Sequence, residues 1–315
     1  MRILVFGAGV LGSYLAHSLV RGDNDVTVLA RGKRAEQLER DGLVIRHYFQ
    51  RKTTVDKVKV IRALQPDDTY DLIFVVMKYN DFPTVLSILA ENESSNIVLV
   101  GNNADAHGMQ RFLLENSQGT KNVAFGFQLS GGIREASGRM ICIRGGGQMV
   151  LGSLNGEIPF KAQLERAFKQ AKYKLTYEAD MDAWLKSHIV LIVAMNAILY
   201  LNNGDVKKVA KNKKHLKQAI SAMVEGFAML EKLGYALIPA GQAKMIRKYR
   251  YAVYLGLKLY HRLPFAKLVD GSYAEIVALL DSFDPLKRQA MLPMPNWDEL
   301  EQQSVAKFKR ERSSL

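Results

Sequence analysis

Along the first third of the chain, apolar residues come in short unbroken runs, and helical patterns separate them. Arg2-Ile3-Leu4-Val5-Phe6 reads as a strand, Gly7-Ala8-Gly9-Val10-Leu11-Gly12 as a turn, residues 13–21 as a helix and 25–30 as a second strand. Residues 34–41 predict a short helix closed by Gly42, and 43–46 return to extended structure. Residues 55–61 alternate apolar and polar positions, as a half-buried strand does. The run Leu72-Ile73-Phe74-Val75-Val76-Met77 is what a parallel strand covered on both faces carries, and Lys78 stands just past its end. A helix over 82–89, a strand over 96–100 and the turn Gly101-Asn102-Asn103 complete this section.

From residue 123 the pattern changes. Ala124-Phe125-Gly126-Phe127, Met140-Ile141-Cys142-Ile143 and Met149-Val150-Leu151-Gly152 predict short antiparallel strands that extend the sheet. Gly145-Gly146-Gly147 has no helix after it and reads as a hairpin turn. A helix over 160–172 and a short strand over 175–177 follow. Beyond residue 180 helical periodicity dominates, over 182–201, 213–233, 240–259, 272–282 and 297–310. The expected fold class is α/β, an N-terminal Rossmann-type doubly wound sheet plus an all-helical C-terminal domain, with domains at 1–178 and 179–315.

The glycine turn carries the first chemical signal. Gly7, Gly9 and Gly12 form a G-x-G-x-x-G that follows a strand directly, opens a helix and leads to a second strand, the context that makes this motif specific. The first glycine permits the tight turn, the second lets backbone approach a pyrophosphate, and the third lets helix pack on strand. Val10, Leu11 and Gly12 then present helix N-terminal N–H groups to the phosphates. At the end of the second strand, where NAD-binding folds place an acid, stands Leu29-Ala30-Arg31-Gly32-Lys33-Arg34. Arg31 is the best placed of three cations to grip a 2′-phosphate in a bidentate fork, so the expected cofactor is NADPH. In an open sheet of this kind ligands bind beyond the carboxyl ends of the strands, which brings in Lys78 and Asn102.

Composition narrows the class. The chain has 315 residues, 48% hydrophobic and 24% charged, ordinary for a soluble globular protein. The lone Cys142 excludes a disulfide framework and a cysteine metal cluster, and fits a reducing, cytoplasmic setting. No signal peptide is visible. The longest apolar run, 189–201, contains Asn196 and is shorter than the roughly 20 residues a spanning helix needs. The formal net charge of +13 suits an anionic substrate and NADPH. No nucleic-acid recognition module is recognisable and no apolar run is long enough to span a bilayer, so neither nucleic acid nor a membrane is an expected partner. His188, two residues past Lys186, points away from it and reads as a core or interface histidine.

The order of these pieces resembles the ketopantoate reductase (2-dehydropantoate 2-reductase) family over residues 1–152. The resemblance rests on the glycine turn, Leu29-Ala30-Arg31, the strand ending at Lys78, Asn102 after the fourth strand, and 126–152. Further on, Trp184-Leu185-Lys186 resembles the family's tryptophan-x-lysine. Ala274-Glu275-Ile276-Val277 stands where the family carries its catalytic acid. The resemblance implies an NADPH-binding domain joined to a helical one with the active site in the cleft between, reduction of ketopantoate in pantothenate biosynthesis, and a small keto-acid substrate. It assigns Lys186 as catalytic cation and Glu275 as catalytic acid; a homodimer is compatible with it. The family's asparagines four and eight residues past the lysine are here Val190 and Ala194, with Asn196 two residues beyond. Its paired serines are replaced around His261-Arg262-Leu263-Pro264. Those departures leave two alternatives open: a related reductase with another substrate, and an NADP-binding regulatory protein without catalysis.

Overall fold

The computed structural model describes residues 1–143, 147–268 and 271–313. It divides into two compact units. The first comprises Met1–Gly101, Asp105–Met181 and Leu268. The second comprises Asp182–Lys267, the residues from Gly271 on, and the short segment Asn102–Ala104.

The first unit is built in chain order from β1 (Arg2–Phe6), α1 (Val10–Val20), β2 (Asp25–Leu29), α2 (Gly32–Asp41), β3 (Leu43–His47), β4 (Lys52–Asp56), β5 (Lys59–Ile61) and β6 (Leu72–Val76). A 3-10 turn, Tyr79–Thr84, leads to α3 (Leu86–Glu91), β7 (Asn96–Val100) and α4 (Ala106–Asn116). Then come β8 (Asn122–Gln128), β9 (Gly132–Arg134), β10 (Met140–Cys142), β11 (Gly147–Gly152), α5 (Lys161–Phe168) and β12 (Tyr173–Tyr177).

The main sheet runs β12-β11-β8-β7-β6-β1-β2-β5. From β5 to β8 every pairing is parallel. The strand order reverses between β1 and β6, which defines the switch point of a doubly wound Rossmann-type sheet. The central parallel strands are largely apolar because both faces of the sheet are covered: Ile3, Leu4, Val5, Phe74 and Val98 are fully buried.

Several expected elements are rearranged. The half-buried strand over 55–61 is two strands, β4 and β5, which join different sheets. Of the strands after residue 122, β11 pairs antiparallel with β8 and extends the main sheet as expected. The strands β9 and β10 instead join β3 and β4 in a separate sheet of order β4-β3-β10-β9. Short polar–apolar strands carry no information on which sheet completes them, because that depends on partners remote in sequence. Gly145 and Gly146, read as part of a hairpin turn, lie outside the described residues.

The second unit holds α6 (Met181–Leu201), α7 (Val206–Lys211), α8 (Lys213–Lys232), α9 (Ala240–Lys248), α10 (Arg250–Tyr260), α11 (Tyr273–Ala290) and α12 (Pro295–Ser313). The expected helix over 240–259 is broken at Tyr249, whose ψ of 47° departs from helical geometry. The helix α6 has 21 residues and is long and apolar enough to cross a membrane. It is a core helix of this unit instead: Leu185, Ile189, Val190, Ala194 and Ile198 are all at most 1% exposed. A Cβ on Gly226 of α8 would lie 2.8 Å from Val190 Cγ1 and 3.0 Å from Trp297 Cζ3, so α6, α8 and α12 meet at that glycine. Glu225 beside it accepts from the backbone N–H groups of Asn296 and Trp297 and caps α12.

Candidate functional site

The glycine turn sits at the switch point. Gly7 has φ +124°, and a Cβ there would lie 2.3 Å from the Val76 carbonyl oxygen at the end of β6. No side chain fits, so β1 and β6 can approach only with glycine at this position. A Cβ on Gly12 would lie 1.9 Å from the Gly7 carbonyl oxygen, which folds the first turn of α1 tightly back on the loop. Gly9 differs: nothing lies within 4 Å of a Cβ built there. It is the N-cap of α1, which begins at Val10, three residues earlier than the sequence suggests, and no side chain caps it. The N–H groups of the first helical turn therefore have no side-chain cap, and uncapped helix N-termini of this kind bind anions.

Of the three cations after β2, the structure separates one from the others. Arg34 is buried and turned inward. Its guanidinium donates to the carbonyls of Ala8 (3.2 Å) and Gly138 (2.9 Å) and to Ser13 Oγ (3.0 Å). Burial, with the charge of Arg134, lowers its pKa to about 10. Arg34 is thus a brace for the glycine turn and no candidate for a 2′-phosphate. Arg31 and Lys33 are exposed, and Arg31 is the N-cap of α2. Lys78 is exposed at the start of the 3-10 turn that follows β6. A cavity of about 430 Å³ is lined by Arg34, Gln37, Asp41, Glu135, Gly138 and Arg139 among others, and by no residue of the glycine turn itself.

In the second unit Lys186 is 5% exposed, against the usual solvated lysine of a helix surface. Its ammonium donates to Asp182 one turn earlier on α6 and lies 4.9 Å from the centre of the Tyr235 ring. The Asp182–Lys186 spacing of four is the helical pairing distance, a signal present in the sequence itself. Tyr235, remote in sequence, left no such signal. Next to Lys186, Ser187 Oγ accepts from the Ile238 N–H (3.1 Å). His188 stacks on Trp184, with rings 5.1 Å apart and 13° from parallel. Burial pushes its pKa down to about 4, so it is a neutral packing group.

Asn102 donates its amide to Glu275 Oε1 at 3.0 Å, bringing together two residues singled out 173 positions apart. Asn102 Oδ1 is buried with no hydrogen-bond partner. Glu275 is 9% exposed and lies in the first turn of α11, where the helix dipole favours a carboxylate. Asn196 donates back to the Ile192 carbonyl within α6 (2.8 Å). Its Oδ1 lies where a Cβ on Gly271 would be, at 2.3 Å, beside the entry to α11. Val190 and Ala194, one and two turns past Lys186, are 0% and 1% exposed and belong to the helical core.

The reversed strand order and the bare glycine turn define the class, a Rossmann-type α/β protein followed by a helical unit. Residues 3–156 match the family described as ketopantoate reductase PanE/ApbA. A 2-dehydropantoate 2-reductase of Archaeoglobus fulgidus is 25% identical over 250 residues, 78% of this chain and 79% of that protein. Among solved structures, the PanE/ApbA family ketopantoate reductase of Ralstonia eutropha JMP134 superposes with a TM-score of 0.77 at 17% identity, covering 99% of this chain and 100% of that one. A ternary structure of D-mandelate dehydrogenase with NADH and anilino(oxo)acetate superposes with a TM-score of 0.75 at 15% identity, covering 98% of each chain.

Proposed function

We propose that this protein is an NADPH-dependent reductase of a small 2-keto acid, with ketopantoate, reduced to pantoate, as the first substrate to test. The observation that carries the reading is Lys186: a buried ammonium, directed by Asp182, in a chain whose residues 3–156 match the ketopantoate reductase family. Burying a lysine costs free energy unless its charge is partnered, so a lysine held this way has a task that favours the position.

The residues present fit the cofactor. The open space over Gly9 and the uncapped N-terminus of α1 suit a pyrophosphate, held by the N–H groups of Val10, Leu11 and Gly12. Exposed Arg31, with no acid beside it, suits a 2′-phosphate, and Lys78 adds positive charge past β6. NADPH, when bound, supplies the hydride that reduces the ketone carbon. Lys186 donates a hydrogen bond to the keto oxygen, stabilises the negative charge that develops there and hands it the proton. Asp182 fixes the direction of that ammonium. Glu275, oriented by Asn102, accepts a hydrogen bond from a substrate hydroxyl, and the free acceptor Asn102 Oδ1 is available to a donor.

A second reading, a reductase of the same architecture acting on a different 2-keto acid, is favoured by Val190 and Ala194. Both are apolar and buried, so the positions one and two turns past Lys186 offer a substrate no hydrogen-bonding group. D-mandelate dehydrogenase shares the fold, and the ligand beside its NADH is itself a 2-oxo acid derivative. The deciding experiment follows NADPH oxidation over a keto-acid panel that begins with ketopantoate, for the wild type and for Lys186→Ala. Turnover of any 2-keto acid that collapses in the variant supports a reductase, and the preferred acid chooses between the readings. NADPH binding with no turnover on the whole panel overturns both.

A further inference from the structure

Helix α10 differs from the rest of the second unit, because none of its residues is buried. An amphipathic helix of a globular protein normally hides one apolar stripe. Here Tyr251, Leu255 and Leu259, spaced four apart and therefore on one face, are 73%, 45% and 61% exposed. Met245 and Tyr249, just before them, are 49% and 53% exposed.

The charge around this stripe is of one sign. From Lys232 through Leu268 the sequence holds eight lysines and arginines, Lys232 included, and no aspartate or glutamate. Lys244, Lys248, Arg250 and Arg262 are exposed, and Lys258 borders the stripe one turn from Leu255 and Arg262. Arg247 is offset by Glu231 at 2.7 Å. A cluster of positive charge therefore lies beside these exposed apolar side chains.

We infer that α10, with the end of α9, is a docking face for an anionic lipid surface. The helix lies in the headgroup plane with Tyr251, Leu255 and Leu259 turned toward the acyl chains and the flanking cations toward lipid phosphates and carboxylates. Charge selects this occupant. A second copy placed symmetrically on the same face would set cations against cations. Nucleic acid would reward the cations and tyrosines but not the aliphatic Met245, Leu255 and Leu259. A lipid interface satisfies both features together. The sequence excluded a membrane on the length of its apolar runs, a criterion that applies to spanning and not to peripheral contact.

The test sediments the full chain with vesicles of phosphatidylcholine alone and of phosphatidylcholine mixed equally with phosphatidylserine. Binding is expected to the anionic vesicles only, weakening as salt is raised. Lys248→Gln should lower partition about fivefold, the equivalent of about 1 kcal/mol per cation. The double variant Leu255→Ser with Leu259→Ser, its charge unchanged, should lower it roughly tenfold or more. It should also melt like the wild type and bind NADPH equally well. Equal binding to neutral vesicles, no binding at all, or binding indifferent to the serine pair overturns the inference. So does a homodimer in light scattering that the serine pair dissociates. A Leu255→Trp variant gives an independent reading, since its emission must shift to the blue on anionic vesicles and not on neutral ones.

Discussion

At the scale of single residues, the buried pair Asp182–Lys186 is the most consequential feature. Removing one partner strands a charge in a poorly solvated place, whereas removing both does not. Lys186→Met and Asp182→Leu should each destabilise the protein, by about 3 kcal/mol. The double variant should recover much of that loss in urea unfolding, while remaining as inactive as Lys186→Met alone. Additive losses would show that the two side chains do not depend on each other. Arg31 makes the sharpest cofactor prediction. Arg31→Ala should raise KM for NADPH by roughly tenfold or more, the worth of a charged hydrogen bond, and leave KM for NADH nearly unchanged. An unaltered preference for NADPH would assign the 2′-phosphate to another group. Arg34 could not be told apart from Arg31 in the sequence. Only the position of the Ala8 and Gly138 carbonyls turns it inward.

At the scale of the element, the three glycines of the turn make different predictions although they belong to one motif. Gly12→Ala forces a methyl against the Gly7 carbonyl oxygen, and backbone there has no room to retreat. Loss of the folded protein, or a large drop in melting temperature, is expected. Gly9→Ala meets nothing, and its φ of −68° and ψ of −170° are open to alanine. It should melt like the wild type and still bind NADPH far more weakly by fluorescence titration, because the methyl stands where the pyrophosphate approaches. A Gly9→Ala protein with normal affinity would remove the cofactor assignment without touching the fold. The strand–turn–helix was legible because each step is local: a buried apolar run, a turn that only glycine can make, and a helix opening on free N–H groups. The second sheet was not legible. The strands β3, β4, β9 and β10 are short, and the β3–β4 and β9–β10 pairs become one sheet only through β3 and β10, about ninety residues apart in sequence.

At the scale of the whole molecule, acid sensitivity follows from how the histidines and one carboxylate are held. Burial lowers the pKa of His47, His188, His215 and His261 from the ordinary 6.5, that of His188 to about 4. On acidification the unfolded chain takes up these protons first, so the folded state loses stability as pH falls below about 6.5. Each such proton contributes a slope of about 1.4 kcal/mol per pH unit between its unfolded and folded pKa. Burial alone would raise the Asp56 carboxyl. His17 at 2.5 Å and Arg21 at 3.0 Å outweigh that and hold it below its usual 3.8, so its contribution is lost only under stronger acid. The melting temperature should therefore fall steadily from about pH 7 to about pH 5. Replacing His188 by Phe, which keeps the stack on Trp184, should flatten the low-pH end of that curve. A profile flat over this range would mean that the histidines are not held neutral.

The sequence by itself determined the Rossmann-type sheet, the helical second half and the turn at the switch point, because each is written in contiguous periodicity and in glycines that local geometry requires. It also marked Lys186, Glu275 and Asn102 one at a time. Tertiary structure decided what these residues touch: Asn102 against Glu275 and Lys186 over Tyr235. It decided, too, that Arg34 braces while Arg31 stays free, and that Val190 and Ala194 are core. Hydrogen bonds and burial depend on atoms brought together from distant parts of the chain, and a one-dimensional pattern holds no record of those distances.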